Sequence, residues 1–252
     1  MQLMNYFSNF ITNEKKIIYL IFFLPISLFL GSTIANSSIF FIIIFFILEI
    51  FKKKKIYILY NKEFLIFVIF YIYLIFNSLL LTQTSDSIVR ALGFIRFPLL
   101  ALAIGYYFSI KDGKYQRKIL NFWFIIFLIV TIDILFEFII GFNLIGIKSA
   151  YPGRIASFTG DELKIGGYYF GFILLAILYA NFNLKKYTYF FIIFFLIASL
   201  LIGERANFLK VFFIISILLL FLDKKSLIKK TSLIFGLIIF VFLILKMSES
   251  HY

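Results

Sequence analysis

The chain has no cysteine and a single histidine, His251, next to its last residue. The first absence excludes disulfides, thiol chemistry and cysteine-based metal sites, and the second leaves no multi-histidine metal centre. No cofactor is expected. Charge is also scarce: 15% of the 252 residues are charged, against about 25% in an ordinary soluble domain. What remains is apolar. Hydrophobic residues make up 63% of the chain, aromatic residues 22%, and the mean hydropathy is +1.06. No soluble core of this length hides so much apolar surface, so the bilayer is the expected solvent. The excess of Phe, Ile, Lys and Asn fits an AT-rich genome, and individual Phe and Lys residues therefore carry little weight.

A formal net charge of +13 would by itself suggest a nucleic-acid partner. The lysines argue against one. They sit in short clusters between long apolar runs, as in the cytoplasmic loops of membrane proteins. The opening stretch "MQLMNYFSNFITNEKK" leads into an apolar run without a small-residue cleavage site, and reads as a retained first helix, not a signal peptide. Nine apolar runs are long enough to predict membrane helices: 17–33, 34–51, 63–81, 91–110, 119–141, 165–182, 187–203, 206–222 and 231–247. They are apolar on all faces, unlike the short alternating strands of membrane barrels. The expectation is an all-α polytopic membrane protein, one domain over residues 1–252.

Orientation follows from the basic residues. With the N-terminus in the cytoplasm, the inner side holds Lys15 and Lys16, Lys52 to Lys55 with Lys62, Lys111, Lys114, Arg117 and Lys118, Lys185 and Lys186, and Lys224, Lys225, Lys229 and Lys230. These are 17 of the 25 basic residues, and every inner loop is basic. The outer side or its membrane edge holds Arg90, Arg96, Lys148, Arg154, Lys164, Arg205, Lys210 and Lys246. Type separates the two sets more sharply than number. Of the 17 inner residues only Arg117 is arginine, whereas four of the eight outer ones are. Guanidinium grips phosphate or carboxylate through two parallel hydrogen bonds, so the outer face reads as a place to hold an anion. Arginines snorkelling at helix ends give the same pattern with no ligand.

Several charged positions stand out. In "SIVRALGFIRFPLL", Arg90 falls at the outer mouth of the fourth run and Arg96 about 9 Å further in. Pro98 beside it can loosen the helix. Asp133 and Glu137, at i and i+4 in "TIDILFEF", share one helix face and should look into the bundle, paired with Arg96 or Arg205 or acting as a base. The longest outer loop, 142–164, contains "YPGRIASFTGDELKIGGYY". Its Asp161 and Glu162 stand at the start of the next helix, whose positive end favours acids. Its glycines allow close approach of a ligand or a helix. In "IGERANFL", Glu204 and Arg205 mark either an outer turn or a charged break in a continuous apolar run. Glu204, like Asp133 and Glu137, is a candidate for a structural ion pair.

"RIASFTGDELKIGGYY" followed about 40 residues later by "GERANFL" resembles the bacterial O-antigen ligase and O-antigen polymerase superfamily. "FIRFPLL" fits the same setting, and the resemblance covers roughly residues 85–222. It implies a multi-helix protein of the bacterial inner membrane. Such a protein transfers a glycan from undecaprenyl pyrophosphate, on the periplasmic face, to a lipid A core or another glycan acceptor. It implies no metal or nucleotide, with arginines holding the pyrophosphate. By that resemblance Arg90, Arg154 and Arg205, and more weakly Arg96, are pyrophosphate ligands, and Asp161 or Glu162 is a candidate catalytic base. Members of the superfamily carry further helices and a large periplasmic loop, holding a functional histidine in ligases, beyond the segment that ends this chain. The 252 residues are then expected to be a fragment, a truncated product or a degenerate member. Two other classes stay open: a transporter or flippase of an anionic lipid-linked substrate, and a non-catalytic membrane remnant. Intramembrane Arg, Asp and Glu suit a transporter equally well, but no internal repeat is evident.

Overall fold

Residue by residue, a computed structural model describes positions 14–109, 114–160 and 164–222. The run at 231–247, with Asp161, Glu162 and His251, lies outside the described residues. Among those described there are helices and no strands. In chain order the helices are α1 (Glu14–Ser27), α2 (Ser32–Lys52), α3 (Lys62–Asn77), α4 (Ser85–Gly93), α5 (Arg96–Ser109), α6 (Lys114–Ile140), α7 (Ile165–Asn183), α8 (Thr188–Leu201) and α9 (Arg205–Leu222). Among the described residues, five segments are long and apolar enough to cross a membrane: Ser32–Lys52, Phe64–Leu81, Ser85–Ser109, Tyr115–Ile140 and Ile165–Asn183. The apolar runs from 17–33 to 206–222 all carry helix, but α8 has only 14 residues. At 1.5 Å per residue that is about 21 Å, short of a hydrocarbon core of about 30 Å.

The chain divides into two compact units, Met1–Trp123 and Phe124–Tyr252, with the boundary inside α6. In the first unit α1 packs on α2 and α2 on α5. Ile21, Ile42, Phe46, Ile50, Tyr107 and Ile119 are its fully buried core. Pro25 stands inside α1 and has no N–H, so the carbonyl of Ile21 loses its helical donor. The indole of Trp123 donates to that carbonyl at 3.1 Å and restores the bond. Phe94 and Ile95 separate α4 from α5, and Pro98 is the third residue of α5. In that first turn a missing N–H costs the helix nothing, since those donors have no partner within it. The run read at 91–110 is thus a helix broken just before Arg96.

In the second unit α7, α8 and α9 pack against one another. Phe127 of α6 sits at the centre, its ring 4.6 Å from Tyr169 and 4.9 Å from Phe195, the latter edge to face. Thr131 Oγ1 lies 3.1 Å from the Tyr169 hydroxyl, so both polar groups are satisfied within the core. Large apolar side chains cover the outside as well. Ile69, Leu81, Ile139 and Phe182 are all more than two-thirds exposed. Water-soluble monomers rarely show apolar surface on that scale, and faces of this kind are what a membrane protein turns to lipid.

Candidate functional site

The candidate site of the second unit starts from two acids one helical turn apart. Asp133 is fully buried and Glu137 nearly so, both near the C-terminal end of α6. Isolated there, two carboxylates would be costly. Their partners come from the loop that follows. Asp133 Oδ1 accepts from the Leu144 amide at 2.7 Å, and Oδ2 from the Ser157 hydroxyl at 2.5 Å. Glu137 accepts from the amides of Ser157 at 2.6 Å and Ala156 at 3.3 Å. The sequence suggested arginine partners for these acids; what the structure gives them is backbone amide and hydroxyl.

Asn143, also fully buried, closes the loop on itself. Its Nδ2 donates to the Ser157 carbonyl at 2.7 Å, and its Oδ1 accepts from the amides of Ile145 and Ile147 at 3.1 and 2.8 Å. Ser157 has φ +51, a left-handed conformation rare outside glycine. That twist accompanies the arrangement in which its amide meets Glu137 while its hydroxyl meets Asp133. Ile155, Ala156 and Ser157 are buried, while Arg154, immediately before them, is exposed. The guanidinium therefore rides on a backbone anchored from below.

The two fragments singled out in the sequence meet here. The amide of Ile155 donates to the carbonyl of Ile202 at 3.3 Å. Gly203 turns the chain between α8 and α9 at φ +81, which resolves "IGERANFL" as a turn. A β-carbon on Gly203 would lie 2.6 Å from the Gly153 carbonyl oxygen and 3.5 Å from the Arg154 Cα, so only glycine allows this approach. Arg205, exposed, opens α9 two residues later.

Glu204 completes the junction. Its Oε2 accepts from Asn207 Nδ2. Its Oε1 is buried with no hydrogen-bond partner among the described residues. A β-carbon on Gly166 would lie 2.7 Å from Asn207 Nδ2 and press on the Glu204 carboxylate. Gly166 belongs to the first turn of α7, whose partial positive charge favours an acid beside it. Of the glycines in "GGYYFG", only Gly166 makes such an approach; Gly167 and Gly171 face open space.

The remaining arginines belong to the first unit. Arg90 is in the last turn of α4, where a cation suits the helix dipole, and is exposed. Arg96 is exposed at the start of α5, its guanidinium carbon 4.9 Å from the centroid of the Phe97 ring. Among the described residues no group of three or more His, Cys, Asp or Glu could hold a metal ion. Asn143, Ser157 and Asn207 escaped sequence reasoning, because neutral polar residues in a loop or helix start carry no charge signal. Comparison with protein-family models, curated proteins and solved structures finds no match.

Proposed function

We propose that the chain belongs to a membrane glycan-transfer system of the O-antigen ligase and polymerase type. Arg154 and Arg205 hold the pyrophosphate of a polyprenyl-linked glycan. The observation that carries this reading is the junction of the Arg154 loop with the Gly203–Arg205 turn. Two guanidinium-bearing segments, far apart in sequence, lie against each other at one end of one helical unit. The proposed topology is the nine-helix one, N-terminus in the cytoplasm of a bacterium, with this junction on the outer face of the inner membrane.

In the proposed reaction an acceptor hydroxyl, on a lipid A core or on another glycan, attacks the anomeric carbon of the donor sugar. The bond from that carbon to the pyrophosphate oxygen breaks, and its electron pair leaves on the pyrophosphate. The hydroxyl proton passes to Asp161 or Glu162. Charge grows on the leaving group as the bond breaks, so fixed guanidinium groups there stabilise the transition state more than the substrate. Asp133 and Glu137 are positioning residues: their oxygens are occupied by the loop that presents Arg154.

The test is glycan attachment in the native host, with Arg154→Ala and Arg205→Ala introduced separately into the chromosomal gene. Each is expected to lower transfer by about a hundredfold or more, as loss of a transition-state donor does, while the protein still inserts. Normal attachment in both variants would sink the arginine site. Accumulation of the lipid-linked donor on the inner leaflet in the variants would favour the flippase reading.

A further inference from the structure

The first unit contains a cavity of about 510 Å³ between α3, α5 and the short helix Ile56–Tyr60, a size typical of small-molecule sites. Its lining changes character along its length. Lys55, Asn61 and Ser109 stand at one end; Phe64, Phe67 and Leu102 form the wall beyond them. Pro98 lines the far part, 11 residues before Ser109 on α5, or about 16 Å away along the axis. A polar, basic rim above an apolar slot of that length has the profile of an amphiphile with an anionic head.

The rim charge is specific. Glu49, buried in α2, already accepts from Lys53 at 2.6 Å, from the Tyr107 hydroxyl at 2.7 Å and from the Tyr106 hydroxyl at 3.2 Å. Lys53 is thereby engaged, and Tyr106 is fixed as a rigid part of the lining. Lys55 carries its ammonium 5.7 Å from the centroid of that Tyr106 ring, a cation–π approach that holds it at the cavity mouth. Gly105 opens the slot: a β-carbon there meets nothing within 4 Å.

We propose that this cavity binds an anionic glycerophospholipid, its phosphate on Lys55 and one acyl chain along Phe64, Phe67 and Leu102. Charge complementarity selects the head, and the surrounding hydrocarbon supplies the chain. The site rests on α2, α3 and α5 lying in a membrane and not on the transfer chemistry, so failure of one leaves the other standing.

Native mass spectrometry of the full chain in detergent tests it, with phosphatidylglycerol as probe, phosphatidylcholine as control and inorganic phosphate as competitor. The expected result is one retained phosphatidylglycerol. Gly105→Trp fills the slot and abolishes retention. Lys55→Ala, a change at the rim, weakens it about fivefold, the effect of one basic residue near an anionic head. Circular dichroism checks that each variant keeps its helix content, and Lys55→Ala carries the test if Gly105→Trp does not fold. Unchanged retention in the folded variants, equal retention of phosphatidylcholine, or displacement by inorganic phosphate alone overturns the proposal.

Discussion

Glu137 gives both carboxylate oxygens to backbone amides of Ala156 and Ser157, 19 and 20 residues ahead in the chain. Hydrogen bonds to a charged partner contribute roughly 1.5–3 kcal/mol each, and a buried donor left unpaired adds its own desolvation cost. Glu137→Ala is therefore expected to weaken the anchoring of the 142–160 loop on α6 by about 3 kcal/mol. Amide exchange at Ala156 and Ser157 should speed up by two orders of magnitude or more, with residues of α8 little changed. Unchanged exchange at those two amides would show that the acid does not hold the loop. Part of this was legible in the sequence: the i and i+4 spacing puts Asp133 and Glu137 on one helix face, and a bilayer turns that face inward. Their partners were not legible. Backbone amides leave no trace in residue type, and Asn143 and Ser157 look like ordinary loop polar residues until the chain folds over α6.

At the scale of elements, α1 depends on a residue far from it in the chain. Pro25 removes one helical donor, and Trp123, 102 residues from Ile21, replaces it. Trp123→Phe keeps an aromatic ring but leaves the Ile21 carbonyl unpaired, and a loss of about 1–3 kcal/mol is expected. Combining it with Pro25→Ala returns a backbone N–H to α1, and the cost of losing the indole should then shrink. Thermal unfolding of the four proteins in detergent measures the coupling; equal costs in both backgrounds would remove the indole's assigned role. Nothing in the sequence pairs Pro25 with the chain's single tryptophan, because the two meet only when the fold brings residues 102 positions apart together. The break before Arg96 was nearer the surface of the sequence, because Pro98 has no N–H to give to the carbonyl of the preceding turn and is tolerated in a helix's first turn.

At the scale of the whole molecule, long apolar runs determine helix content even where composition drift makes single residues uninformative. They do not determine which runs are long enough to cross a bilayer, since α8 stops after 14 residues at a turn that hydropathy alone does not show. The lack of cysteine makes the proposed topology directly measurable. A membrane-impermeant maleimide applied to intact spheroplasts should label Ala150→Cys, in the loop carrying Arg154, and should label Lys54→Cys and Lys186→Cys only after permeabilisation. Labelling of Lys186→Cys in the intact spheroplasts would overturn the inside–outside assignment. The polar skeleton of the second unit has a use of its own. It amounts to a fingerprint: an acid pair four apart, an asparagine six residues after the second acid, a serine 14 further on, a glycine nine after that, then a Gly-Glu-x-x-Asn turn. In helices whose apolar residues interchange freely, those few positions are tied to specific partners, so a distant relative would be recognisable by that spacing when its spans no longer align.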